Sequence, residues 1–396
     1  MRSDWKDCTL GDLVTFQRGH DLPKSKMNKG KYPVVGSNGI IGYHDEYTTE
    51  APSITVGRSG NVGKPFIYYG RTWSHNTSLY IKDFKGNDPI FIYYFLQTLD
   101  LANYAGGSAV PTLNRNHIHT LDVSVPRDVS LQKEIGKCLK LLDDKIKVNT
   151  EINENLEQQA KAVFKSWFED FTPFNEPLVE TPAGIHAPAS LKMVQIANIP
   201  HVLETGKRPK GGAVTFGVPS IGAENVKQLG VVNLSSAKFI PDEFAAKMKT
   251  GVINGYELLL YKDGGKPGTF IPHFSMFGEG FPYRKFFINE HVFKLDFGDR
   301  GFNEFAYFFM QTDYAYHWLA NNGGKAAVPG INQQNVNDIW IFSPDNPKVK
   351  EFGEWVQPSF TAILKNCAQN VKLAELRDAL LPKLMSGEID VSTLDI

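Results

Sequence analysis

The chain has only three cysteines, Cys8, Cys138 and Cys367, and they stand far apart. That leaves no disulfide framework and no cysteine-rich zinc site, and it fits a reducing, cytoplasmic setting. Long apolar runs are also lacking. Nothing reaches the length of a membrane span, and the opening MRSDWKDCTLGD is too polar for a signal peptide. Excess charge is missing too: the formal net charge is −1 and no segment forms a polybasic tail. A chain with this balance that binds nucleic acid does so through local patches, or with a partner supplying much of the phosphate contact.

Catalytic signatures are scarce. The loop Gly57-Arg58-Ser59-Gly60-Asn61-Val62-Gly63-Lys64-Pro65 has the glycine density of a phosphate loop. Pro65, however, stands where such a loop needs Ser or Thr, and a strand follows rather than a helix, so a tight structural turn is the better reading. Asn61 stands where a nucleophile elbow around Ser59 would need glycine. His117 and His119 fall on one expected strand face, with no cysteine or carboxylate at ligand spacing. There is no Asn/Asp-Pro-Pro-aromatic tetrapeptide of the amino-methyltransferase kind, and no helicase or nuclease motif. No catalytic or metal-ligating residue is assigned.

What the chain does have is length for two or three domains and a helix pattern that occurs twice. Residues 131–171 read as one long helix with a heptad seam of Ile135, Leu139, Leu142, Ile146, Asn149, Asn153 and Leu156. The same spacing returns in residues 346–385 as Phe352, Val356, Ile363, Asn366, Asn370 and Leu373, with asparagine in the same two slots. Pro358 is expected to kink the first turns of this second helix. An apolar stripe needs a partner, and each helix can supply it to the other. In an antiparallel pair, Asn149 would approach Asn370 and Asn153 would approach Asn366. Such amides fix register; alternatively they mark a solvated midsection or a place where other subunits dock.

The remaining segments fit a duplicated plan. Residues 1–130 form a mixed first domain, 172–190 with four prolines a linker, 191–345 a second domain, and 386–396 a C-terminal tail. In the first domain, Pro89 to Leu101 reads as a short, mostly buried helix. In the second domain, Gly323-Gly324-Lys325-Ala326-Ala327-Val328-Pro329-Gly330-Ile331-Asn332 repeats Gly106-Gly107-Ser108-Ala109-Val110-Pro111-Thr112-Leu113-Asn114 with one residue inserted. The loop Lys262-Asp263-Gly264-Gly265-Lys266-Pro267-Gly268 echoes the one at 57–65. Residues suited to reading base edges or holding phosphate cluster on these loops: Arg58, Ser59, Asn61, Lys64, Thr112, Asn114 and Arg115 in the first half, and Lys262, Lys266, Lys325, Asn332, Gln333 and Gln334 in the second. Taken singly, each is an ordinary turn residue. Their paired occurrence in both halves points to function.

Together these motifs resemble the DNA-specificity (S) subunit of type I restriction-modification systems. Further features of the resemblance are Leu10-Gly11-Asp12-Leu13, Arg18-Gly19 and the C-terminal Leu380-Leu381-Pro382-Lys383-Leu384-Met385-Ser386-Gly387-Glu388-Ile389. The resemblance implies an α+β molecule: two mixed α/β target recognition domains joined by two long helices in an antiparallel coiled coil, with pseudo-twofold duplication. It implies that each domain reads one part of a bipartite site in double-stranded DNA and that the helices set the spacer. The chain itself would be non-catalytic and hold no cofactor. Two methyltransferase subunits would bring S-adenosylmethionine for adenine methylation. Restriction subunits, with ATP and magnesium, would join through them. The loop at 57–64 is only loosely kept at 262–268, so the two halves should read different sequences. Two other readings stay open: a specificity partner of a fused methyltransferase–nuclease, and a coiled-coil adaptor with no DNA role.

Overall fold

The computed structural model describes residues 4–107, 111–234, 237–264, 266–324 and 328–391. Two helices dominate it, Val129–Phe168 of 40 residues and Pro347–Met385 of 39 residues. The second runs on through Pro358 without interruption. The chain divides into two compact units, and the division falls inside both helices: residues 1–146 with 372–396, and residues 147–371. This differs from the sequence expectation of whole helices standing between globular domains.

In the first unit, a four-stranded sheet has the order Thr15–Arg18, Ser78–Asp83, Ser53–Gly57, Pro65–Tyr68. A three-stranded sheet places Tyr32–Gly36 between Gly39–His44 and a parallel Trp73–Ser74. The short helix Pro89–Gln97 starts on Asp88, whose carboxylate accepts from the Phe91 amide at 2.9 Å, and ends after one further turn-forming residue. The core joins Leu10, Phe16, Val56, Phe91 and Phe95 to Ile135 and Leu139 of the first long helix and to Leu381 and Leu384 of the second. On the same helices, Arg377 donates to Asp143 at 2.6 Å, and Asp143 also accepts from the Tyr94 hydroxyl at 2.5 Å.

The second unit repeats the topology. Its four-stranded sheet runs Val202–Thr205, Val292–Asp296, Leu258–Tyr261, Phe274–Ser275. Its other sheet again contains one parallel pair, Val218–Ile221 against Phe286–Ile288. The helix Asp313–Gly323 has no counterpart in the first unit and was not anticipated. The expected linker is also more than a linker: Leu178–Glu180 and His186–Pro188 pair as a hairpin, and Ala187 is fully buried in the unit's core. Four prolines concealed this, because a two-strand pairing this short is held by non-local burial and leaves no periodicity.

Within the second unit the long helices meet through their asparagines. Asn149, 1 % exposed, donates to Asn370 Oδ1 and Gln369 Oε1, both at 2.8 Å. Asn366 donates to Asn153 Oδ1 at 2.9 Å. Numbers rise along one helix as they fall along the other, so the pair is antiparallel here. Below the asparagines the seam turns aromatic: Phe164 and Phe168 pack on Phe305 and Phe352 at ring separations of 5.0–5.6 Å.

The helices Arg300–Phe309 and Pro89–Gln97 each cross a long helix on glycine. A Cβ at Gly353 would lie 2.9 Å from Gly301, and one at Gly136 would lie 2.9 Å from the Phe91 amide. Either position therefore resists any side chain. Beside the first crossing, Glu304 is fully buried. Its Oε1 accepts from Arg300 Nε at 2.9 Å, and its Oε2 has no partner among the described residues. Burial pushes this carboxyl up to about 7, against the pull of the Arg300 charge. The folded state thus holds the proton more tightly than the unfolded chain. Glu304's contribution is fully present below about pH 4.5 and is lost as pH rises through about 7. The Glu304→Gln variant should flatten this fall in a series of melting temperatures taken across that range.

Candidate nucleic-acid interface

The loops singled out in the sequence meet through backbone hydrogen bonds. The Leu113 amide donates to the Arg58 carbonyl at 2.8 Å, and Ser59 bridges to Thr112. The amides of Arg58 and Ser59 both donate to the Thr77 carbonyl, at 2.8 and 3.2 Å. In the second unit the Ile331 amide donates to the Lys262 carbonyl at 2.8 Å, and Asp263 bridges to Gly330. Both units therefore clamp the loop after a central strand to the loop before a short helix. Those short helices, Arg115–His119 and Gln333–Asn337, start on Asn114 and Asn332. The first holds both histidines that the sequence placed on a strand. His119 Nε2 accepts from the Phe16 amide at 3.0 Å, so this ring supports the fold.

In the first unit the clamp opens on a cleft of about 460 Å³ lined by Arg18, Arg58, Thr112, Asn114, Arg115 and His117, among others. No carboxylate lines it. Among the described residues neither Arg58 nor Arg115 pairs with a carboxylate, and Arg18 meets only the exposed Asp21 at 3.4 Å. Three guanidiniums on one concave wall suit phosphate oxygens and the acceptor edge of guanine, where a fork of donors binds two oxygens or a nitrogen and an oxygen at once. Arg18 was noted in the sequence only as part of a turn. Its place at the end of a strand, directly before a glycine, was the available signal.

Other expected contacts are placed elsewhere. Lys64 is exposed, with its ammonium 5.6 Å above the Phe66 ring, and neither it nor Asn61 lines the cleft. Ser59 contributes through its backbone. Asn114 Oδ1 is engaged in capping, accepting from the Asn116 amide at 3.0 Å.

In the second unit the expected residues are largely occupied by the fold. Lys262 donates to the Glu290 carbonyl at 2.9 Å and lies 3.3 Å from the Asp263 carboxylate. Asn332 and Asn335 cap each other's backbone amides at 2.9 Å. Gln333 donates to the Leu203 carbonyl at 2.9 Å, and Gln334 to Asp338 at 2.6 Å. Lys266 is exposed and lines a cleft of about 590 Å³ with Lys227, Tyr261 and His273. Lys325 lies outside the described residues. Sequence reasoning passed over the run Gly206-Lys207-Arg208-Pro209-Lys210, whose three cations within four residues were the signal.

These two clamped loop pairs, with long antiparallel helix stretches beneath each, match known proteins. Residues 2–158 match the family model described as the type I restriction modification DNA specificity domain. Residues 2–158 thus carry the type I DNA-specificity domain, and the chain is similar over most of its length to type I specificity subunits. It is 28 % identical over 313 residues to the type I restriction enzyme MjaIX specificity subunit of Methanocaldococcus jannaschii, covering 77 % of this chain and 70 % of that one. It is 24 % identical over 371 residues to the HindI specificity subunit of Haemophilus influenzae, covering 76 % and 77 %. The fold is that of the S subunit from M. genitalium, with a TM-score of 0.64 at 16 % identity and 96 % of each chain covered.

Specificity subunits are non-catalytic parts of their enzymes, which agrees with the lack of a catalytic constellation in the sequence. Among the described residues no three His, Cys, Asp or Glu side chains group as a metal site, and no helix is long and apolar enough to cross a membrane. Replacing Arg58 and Arg115 together by Ala should weaken DNA binding by the assembled complex. It should also lower the slope of log K against log salt by about two. Lys262→Ala should instead leave that slope unchanged and lower the melting temperature.

Proposed function

We propose that each compact unit of this specificity subunit reads one part of a bipartite DNA target, and that the paired long helices set the spacer between the parts. The observation that carries this reading is the repeated clamp: one backbone scaffold, built twice in one chain, presents different side chains each time. Arg58 and Arg115 of the first copy correspond to Lys262 and Gln333 of the second, so the two surfaces differ in charge and in hydrogen-bonding groups. Two different readers in one chain fit an asymmetric site.

In this reading the chain works in the cytoplasm and holds no cofactor. Two methyltransferase subunits dock on the helices and bring S-adenosylmethionine for adenine methylation, and restriction subunits with ATP and magnesium join through them. Apolar side chains on the helix surfaces support a docking role: within the second unit Val148, Ile152 and Trp355 are 43–45 % exposed. A face of this kind is expected where another chain packs. Val148→Glu with Ile152→Glu should abolish co-purification of the methyltransferase while leaving the melting curve of the subunit intact.

The spacer role has its own test. Inserting one heptad into each long helix adds about 10 Å of rise, or roughly three base pairs of DNA. The methylated motif, mapped in genomic DNA of a host carrying the variant, should keep both half-sites and lengthen the spacer between them. An unchanged spacer would refute the ruler.

A further inference from the structure

In the first unit the clamp presents three arginines, yet the matching places in the second unit are almost neutralised. Thr205 stands before Gly206 where Arg18 stands before Gly19. Lys262 is tied to Asp263 and to the Glu290 carbonyl, and Gln333 to the Leu203 carbonyl. If the second unit binds DNA, its cations have to come from somewhere else.

They lie on the loop that follows the strand Val202–Thr205. Lys207 and Arg208 line a cavity of about 130 Å³ with Lys238, His291 and Ser220. The acidic group in that lining is Glu290, 3.6 Å from Arg208 and 3.3 Å from His291, and Lys238 also meets Glu224 at 3.5 Å. The side chain of Arg208 nonetheless remains 64 % exposed and that of Lys238 55 %. Lys210 adds a third cation to the loop.

The same loop carries Phe216, which is 85 % exposed and the most exposed large apolar side chain in the described residues. Its exposure is fixed by the backbone. The Val214 amide donates to the Phe239 carbonyl at 2.9 Å, two residues before it. Gly217, directly after it, has φ +140° and sits where a Cβ would come within 2.3 Å of the Ile240 carbonyl. Held on both sides to the strand Lys238–Ile240, the loop projects Phe216 outward. An exposed ring gains from any apolar surface that covers it, but the cations Lys207, Arg208 and Lys210 on the same loop favour a negatively charged partner. Ring and cations together suit a polyanion whose interior is made of stacked rings.

We infer that the second unit grips DNA with this loop: Lys207, Arg208 and Lys210 hold the backbone, and Phe216 enters the groove between them and rests on a base step. This rests on the proposed reading of the second unit as a DNA reader. Its test uses the complete complex and a duplex bearing the mapped methylation motif, with 2-aminopurine placed step by step through the second half-site. Binding should raise the fluorescence at one step. Phe216→Ala should remove that rise and weaken binding by about tenfold, and Lys207→Ala with Arg208→Ala should lower the salt slope by about two. Both sets of residues are exposed, and unchanged melting curves will verify folding.

Full affinity, salt slope and fluorescence in these variants, alongside a clear loss in Arg58→Ala with Arg115→Ala, would overturn this inference alone. No loss in either set would overturn the DNA-reading proposal itself. Loss of methyltransferase co-purification in Phe216→Ala, with DNA contact by the remaining subunit unchanged, would assign the ring to a protein partner and also reject the inference.

Discussion

Neither compact unit closes its core without both long helices. The first takes Ile135 and Leu139 from one and Leu381 and Leu384 from the other; the second takes Phe164 and Phe168 from one and Phe352, Val356 and Ile363 from the other. The antiparallel helix pairing is therefore a condition for both units. A slip of one helical turn would break the Asn149–Asn370 and Asn153–Asn366 bonds and leave the buried Asn149 amide unsatisfied, at about 1–3 kcal/mol. The same slip would displace the aromatic seam around Phe164. Polar and apolar contacts thus select the same register, which makes the pairing specific as well as stable.

The features most readable in the sequence were those with a period. Heptad spacing gave both helices and located the asparagines, because a helix face is a one-dimensional pattern. Features set by non-local contact were hidden. The hairpin at 178–188 looked like a proline-rich linker, and nothing in the spacing indicated the burial of Ala187. The extra helix Asp313–Gly323, capped by Thr312, has no counterpart in the first half, so the repeat gave no hint of it.

The candidate site was readable by position and only partly by residue. Glycine and asparagine loops in both halves marked the clamp correctly, because backbone geometry demands those residue types. Residue type could not say which side chains remain available. Arg58 and Lys262 occupy matching places, but Asp263, the next residue, engages Lys262, whereas Ser59 offers Arg58 no carboxylate and, among the described residues, the Arg58 guanidinium meets only the Asn76 carbonyl at 3.4 Å. Gln333 resembles a base-reading side chain and is held by the Leu203 carbonyl. Whether a polar group is free for a ligand depends on its neighbours in space.

That separation also explains how the two copies can share a fold and differ in surface. The clamp is made of backbone amides and carbonyls, so Arg58, Thr112 and Arg115 can change without loosening it. Affinity then depends on a few local cations in a chain whose net charge is −1. In the proposed reading, three arginines that neutralise about three phosphates would give a salt slope near −2.7, so about a fourfold rise in salt would cost roughly 40-fold in binding. Contact this modest would favour discrimination over grip: unmatched DNA would be released readily, and base contacts would decide which sites are retained. Tight binding must then draw on both units together, or on the subunits with which specificity subunits assemble. A net charge near zero is thus compatible with sequence reading, because a strongly basic chain would hold every sequence and distinguish few.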